Sequence, residues 1–310
     1  MPKSLNIYTL VLAAFFTFAL FSSYSGEDAA DGKTEGNLEK ETSLPQVIQP
    51  VNLAKPYSFA GEALPMDNFD VRERLDRELT VNSYWHSSTV LNIKSATRYF
   101  PIIEKILEEN GVPDDFKYLA VAESSLRNAT SPTGAKGIWQ FLKGAGQDYG
   151  LEINGEVDER YHLEKATQAA AKYINRLKER FGSWTLAAAA YNSGASHLKK
   201  EVGIQRASTY YDLNLNEETS RYVFRIVALK EVLQHPQDFG FYLEDSDLYS
   251  PLDDYNVVEV DSAIENLGDF ASKQDISYRM LKVYNPWLRS SKLTNPKRKK
   301  YEIHIPRQKF

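Results

Sequence analysis

Cysteine is missing from all 310 positions of the chain. Its absence excludes disulfides, thiolate metal sites, a cysteine nucleophile and a lipid anchor carried on cysteine near the amino terminus. A positive charge excess is missing too. The net charge is −5 and the pI about 5.7, so no global basic field draws the chain to nucleic acid. The basic run Lys297-Arg298-Lys299-Lys300 reads as a solvated turn. Five histidines, His86, His162, His197, His235 and His304, are scattered without metal-ligand spacing. No metal and no organic cofactor is expected. Nor is there a long apolar run: Ile7 to Phe21 is the main uncharged stretch, and at about 15 residues it falls short of the roughly 20 that span a bilayer.

What that stretch does resemble is a secretory signal. Lys3 precedes it and small residues follow around Ser22 to Gly26, giving the charged, apolar, small-residue order of an export segment. Residues 1–25 are expected to be a signal peptide or a retained amino-terminal anchor, with the rest exported across the inner membrane into the periplasm or cell envelope. Residues 26–66 are polar, with scattered Gly, Glu, Asp and Pro and no periodicity, and read as a flexible linker.

From Asp67 onward a helical period dominates. Val71, Leu75, Leu79 and Val81 suit one helix face, and Tyr99, Ile102, Ile103, Ile106 and Leu107 another. Gly111-Val112-Pro113 breaks the chain, and Asp114-Asp115 puts acids at the next helix start, where the dipole favours them. Further helices are predicted over Leu163 to Phe181, the alanine-rich Trp184 to Tyr191, and Glu218 to Leu233. The fold class is therefore mainly α, with an all-α domain over 67–245. The tail, 252–310, changes character. "YNVVEV" (Tyr255 to Val260) and "YEIHIP" (Tyr301 to Pro306) alternate as strands do, with helical patterns around Ala263 to Lys273 and Tyr278 to Val283 between them. That is a small separate βααβ module.

The chemistry is expected at "AESSLRNATSPTGAKGIWQF", Ala122 to Phe141. Phe116, Leu119 and Ala120 make the helix that delivers Glu123 apolar, and Glu123 falls at its carboxyl end. Burial and the negative end of the helix dipole both raise a carboxyl pKa. A carboxyl kept protonated near neutrality is what general-acid attack on a glycosidic oxygen requires, although the same pattern alone also suits an ordinary glutamate at a fraying helix end. Nineteen tyrosines suit either a sugar-lined cleft or a tyrosine-rich core. The other acids nearby, Asp148, Glu152, Asp158 and Glu159, lie in polar stretches that look solvated.

Three ordered motifs carry a resemblance. Glu123-Ser124, then Ser131, Gly134, Ala135, Gly137 and Gln140, match E-S followed by S-x-x-G-A-x-G-x-x-Q. "AYNSG" (Ala190 to Gly194) matches A-Y-N-x-G, and Glu218, Thr219, Tyr222 and Val223 match E-T-x-x-Y-V. Over roughly Asp67 to Leu243 the chain resembles the lytic transglycosylases related to goose-type lysozyme. "VDERYHLEKATQAAAKYI" and "YYDLNLNEETSRYV" point to the D branch of its membrane-bound members. The resemblance implies a lysozyme-like fold, with Glu123 catalytic and Ser124, Ser131, Gly134, Gly137, Gln140, Tyr191, Asn192 and Tyr222 binding substrate. It further implies cleavage of the peptidoglycan bond between N-acetylmuramic acid and N-acetylglucosamine, one Glu serving as acid and then base, and a 1,6-anhydromuramoyl product.

Within that reading the glycines let backbone approach the saccharide. Gln140 and Asn192 offer donors and acceptors to acetamido and hydroxyl groups, and Tyr191 and Tyr222 hold the carboxyl. The partners implied are peptidoglycan strands and other cell-wall enzymes, with the membrane reached only through an uncleaved amino terminus. A hydrolytic lysozyme and a catalytically silent glycan-binding envelope protein are the alternatives. The tail resembles a diverged LysM module, with "VYNPWL" (Val283 to Leu288) at that family's Asn-Pro. It is either a glycan-binding unit or an appendage packed on the catalytic domain.

Overall fold

A computed structural model describes residues 49–308. The expected signal or anchor (1–25) and the first part of the expected linker lie outside the described residues, among which no helix is long and apolar enough to cross a membrane.

The stretch expected to be linker through residue 66 is structured before it ends. Two short strands, β1 (Ser58–Phe59) and β2 (Glu62–Ala63), form a hairpin. Tyr57, Phe59 and Leu64 are buried in the main core, and Phe59 sits 5.0 Å from the Phe116 ring. Local composition hid this, because the apolar partners of these residues lie more than fifty positions away. The hairpin also does electrostatic work. Glu62 accepts the amides of Trp184 (2.6 Å) and Thr185 (2.9 Å) at the start of a helix, where a carboxylate meets the positive dipole end.

The helices follow in order: α1 (Phe69–Tyr84), α2 (His86–Glu109), α3 (Lys117–Ser124), α4 (Lys143–Asp148), α5 (Leu163–Phe181), α6 (Trp184–Ser193), α7 (Ala195–Gln205) and α8 (Glu217–Gln234). Their starts are written in side chains. Asn68, Ser183 and Asn216 each accept a first-turn amide of α1, α6 and α8, removing an otherwise orphaned donor. α8 is the central element and packs against α1, α3 and α6. Ala187 to Ala190 are all buried, so α6 lies close against α5 and α8. On α1, Val71, Leu75 and Leu79 face the core as expected, whereas Val81 is exposed. α2 starts thirteen residues before Tyr99 and carries Pro101 inside it.

The tail forms the predicted βααβ unit: β3 (Tyr255–Val260), α9 (Leu267–Lys273), α10 (Tyr278–Tyr284) and β4 (Tyr301–Pro306). β3 and β4 are antiparallel, with Val258 opposite Ile303. Asn285 is fully buried and knits the unit together. Its amide donates to the carbonyls of Leu281 (3.0 Å) and His304 (2.7 Å), and its oxygen accepts from the His304 amide at 2.8 Å.

The module is not separate. Val157 and Tyr161 of the helical domain share one apolar cluster with Leu267, Leu281, Trp287, Leu288 and Ile303. The Asp158 amide donates to the Trp287 carbonyl (2.9 Å), and the Arg289 amide to that of Glu156 (2.7 Å). Tyr301 and Lys299 reach Glu152 at 2.9 and 2.6 Å. His162 stacks on Trp287, and its ring comes 6.1 Å from that of His304. Two of the scattered histidines thus meet across this junction.

Candidate active site

α3 brings Glu123 to the penultimate position of an apolar helix. The helix stops because Ser125 and Leu126 both take left-handed backbone, with φ of 52° and 55°. That conformation is unfavourable for residues other than glycine and persists only where surroundings enforce it. Burial of the Leu126 side chain, 1% exposed, supplies the enforcement. The chain is thereby turned away directly after the carboxylate.

The Glu123 residue is half-buried, but its carboxyl is closely surrounded. Burial pushes its pKa up to about 7, and the nearby negative charge of Glu218 adds to the rise. The Tyr222 hydroxyl, which donates to Glu123 Oε1, and the positive charge of Arg225 pull the other way. Tyr222 is itself buried in α8. A carboxyl held by one directed donor and titrating near neutrality can give a proton and take one back.

Burial raises the pKa of Tyr191 and the nearby charge of Glu123 adds to the rise, but the Tyr191 hydroxyl donates to the Trp139 carbonyl at 2.7 Å and not to the carboxyl, contrary to expectation. It belongs instead to an aromatic cluster with Phe141, Tyr149 and Tyr173. Asn192 is held by its own neighbours. Its oxygen accepts from the Thr219 hydroxyl at 2.8 Å, and its amide donates to Glu218 at 3.3 Å. Glu218 lies in the first turn of α8 and is exposed. None of Asp148, Glu152, Asp158 and Glu159 is among the groups that shift Glu123. The carboxylate that influences Glu123 lies 95 positions away in the third motif, and the glutamate quoted in that motif was its only trace.

The remaining expected contacts mostly build the loop after α3. Ser124 is buried and donates to the carbonyls of Ile138 (2.9 Å) and Ala120 (3.3 Å). Ser131 accepts the Ala135 amide at 3.0 Å, and Gln140 donates to the carbonyls of Gly137 (2.7 Å) and Ala129 (3.3 Å). Gly134 turns the exposed tip at φ 84°. Gly137 is required for a different approach from the expected one. A Cβ there would lie 1.9 Å from the Arg160 carbonyl oxygen, so the close neighbour is the protein's own backbone.

Arg160 explains why. Asp158 and Glu159, expected to be solvated, are buried at 4% and 2% exposure. Asp158 binds Arg160 through two contacts of 2.9 and 2.7 Å. The same guanidinium donates to the carbonyls of Gly134 (3.3 Å) and Phe141 (3.2 Å). It therefore ties both ends of the glycine loop from beneath. Glu159 is paired with Lys165 at 2.5 Å and with Lys299 of the tail at 3.4 Å, which holds its carboxyl below the usual range despite burial.

Comparison with known proteins matches two domains along the chain. The transglycosylase SLT domain matches residues 100–214, and the soluble lytic transglycosylase C-terminal LysM-like domain matches 256–309. The chain carries an SLT transglycosylase domain followed by a LysM-like domain. It is 30% identical over 246 residues to the membrane-bound lytic murein transglycosylase D of Escherichia coli K12, and equally to that of E. coli O6:H1. Those alignments cover 76% of this chain and 53% of each relative, so the chain spans about half the length of the curated relatives it matches. Over 104 residues it is 36% identical to peptidoglycan transglycosylase gp16 of Escherichia phage T7, covering 32% of this chain and 8% of that protein. Within the SLT domain lie Glu123, the glycine loop, Tyr191 and Asn192. Tyr222 and Glu218 lie beyond its matched residues, on α8.

Proposed function

We propose that the protein is a lytic transglycosylase of peptidoglycan in the cell envelope, with Glu123 as its single acid and base. The observation that carries the reading is a carboxyl raised to about 7 and bonded by Tyr222, inside an SLT domain. The Glu123 proton goes to the glycosidic oxygen as the bond from C1 of N-acetylmuramic acid to that oxygen breaks. The substrate's N-acetyl oxygen supports the developing charge at C1. Glu123, now a carboxylate, takes the proton of the C6 hydroxyl as O6 closes on C1, giving a 1,6-anhydro end and restoring the acid. No water is consumed.

One observation favours a second reading. Glu218 is a solvent-exposed carboxylate beside the acid, held by Asn192, and most glycosidases use a carboxylate pair. If Glu218 activates water, the same cleft hydrolyses. Mass spectrometry of purified sacculi after digestion decides between them. Anhydromuramoyl ends are expected, and Glu123→Gln should lower their release by about 10²–10⁴-fold. Reducing muramic acid ends would establish the hydrolase instead.

A further inference from the structure

α1 contributes a carboxylate that nothing above uses. Glu78 is 1% exposed. Its Oε1 accepts from Arg221 Nε at 2.6 Å and from Arg77 at 3.0 Å. Its Oε2 is buried with no hydrogen-bond partner, and the nearest cation is Arg225, with Nε at 3.7 Å. A buried, underused carboxylate oxygen is costly, and structures rarely keep one without a reason.

The helix explains what the arrangement controls. At about 100° per residue, Arg221, Arg225, Glu218 and Tyr222 fall in that order within an arc of roughly 100° on α8. Arg221 belongs to the face that meets Glu78, and Tyr222 to the face that meets Glu123. Arg225 stands on the seam between them, one turn beyond Tyr222. Arg221 and Arg77 share a second counter-charge, Glu217, at 3.3 and 3.7 Å. Glu78 is the carboxylate paired with Arg225.

We propose that Glu78 is a positioning residue of the site: its buried carboxylate draws the Arg225 guanidinium to the α1 side of α8 and keeps that positive charge from settling on Glu123. A guanidinium swung fully onto the acid would favour its ionised form and leave no proton to transfer. The charged and titratable groups facing Glu123 are Glu218, Tyr222 and Arg225 from α8 and Tyr191 from α6. Those facing Glu78 are Arg77 from its own helix, Arg221 and Arg225 from α8, and Tyr210, which precedes α8. Arg225 is the cation common to both sets. The inference rests on the reading of Glu123 as the acid.

The test titrates Glu123 directly in the full chain, by carbon NMR of ¹³C-labelled glutamate carboxyls, with Glu123→Gln assigning the signal. Glu78→Gln should lower the midpoint by about 0.5–1 pH unit, a threefold to tenfold fall in proton affinity. Arg225→Gln should raise it, and adding Glu78→Gln to Arg225→Gln should change it no further. Midpoints that stay put in folded Glu78→Gln and Arg225→Gln proteins overturn the proposal. If Glu78→Gln does not fold, an unmoved midpoint in Arg225→Gln overturns it alone. The descending limb of the activity profile should move with the midpoint. A midpoint that moves while activity does not follow leaves Glu78 in its role and removes Glu123 from its own.

Discussion

The Tyr222 hydroxyl donates to Oε1 of Glu123, joining residues 99 positions apart on α8 and α3. The donor stabilises the ionised carboxylate and offsets part of the effect of burial on its pKa. Under the proposed mechanism it leaves the other carboxyl oxygen, Oε2, to face the glycosidic bond. Tyr222→Phe removes the donor and keeps the buried ring. We expect the pH at which activity falls on the alkaline side to move upward, because an acid that ionises less readily stays protonated longer. Turnover at the optimum should drop about 10–100-fold as the carboxyl loses its orientation. Initial rates on sacculi between pH 5 and 9 measure both, and an unchanged profile would remove Tyr222 from the site.

Stability should carry the opposite signature at Glu123. Its folded pKa of about 7 lies above the ordinary 4.5, so the folded state binds more protons than the unfolded one between those values. Stability from this group is present below the unfolded pKa and is lost as pH rises through the folded one. Glu123→Gln cannot ionise and escapes that loss. The variant should therefore be more stable than the parent at pH 8, by about 1–3 kcal/mol, and so melt higher there, with little difference at pH 4.5. Equal melting differences at the two pH values would show that Glu123 titrates normally.

Asn192 is tied to α8, so the substrate-orienting role proposed for it has to be separated from a structural one. Its oxygen takes the hydroxyl of Thr219, which is 1% exposed, and its amide restrains Glu218. Asn192→Ala leaves a buried hydroxyl without its acceptor, at a cost of about 1–3 kcal/mol, and releases Glu218. We expect turnover to fall more than tenfold. Thr219→Val separates the causes, since it frees the Asn192 oxygen while retaining the amide. If both variants are destabilised but fully active, Asn192 is a helix-to-helix tie and nothing more.

What could be read from sequence, and what could not, follows from the range of the interactions. α5 matches its expected span, and α6 and α8 fall within a few residues of theirs, because three- and four-residue apolar spacing is a local signal. The place of Glu123 at the end of an apolar helix was legible from local pattern, while its choice as the candidate acid came from the three motifs together; the strands of the tail were legible from their alternation. Asp158, Glu159 and Arg160 were not. Asp158 pairs with Arg160 and Glu159 with Lys165 close by in sequence. Even so, a charged residue in a polar stretch looks solvated unless what encloses it is known, and here that includes the carbonyls of Gly134 and Phe141 and a lysine in the tail. Gly137 could be singled out as necessary, but its neighbour, the Arg160 backbone, comes only with the fold.

The junction with the tail gives the last prediction. A freely tethered glycan-binding unit could be removed with loss of affinity alone. Here removal of Tyr255 to Phe310 would expose Val157 and Tyr161, which are 1% and 5% exposed in the intact chain. It would leave the Asp158 amide without the Trp287 carbonyl and Glu159 without Lys299. Asp158 is itself half of the buried pair with Arg160 that ties the glycine loop, and Glu159 lies between the two, so the damage runs toward Glu123. The truncated protein should melt well below the full chain and lose turnover on short soluble glycans as well as on sacculi. Trp287→Ala tests the same path within the intact chain. Trp287 is 3% exposed, and truncating a buried tryptophan costs about 3–5 kcal/mol. If the truncated protein melts with the full chain and fails only on intact sacculi, the junction contributes no stability and the tail serves binding alone.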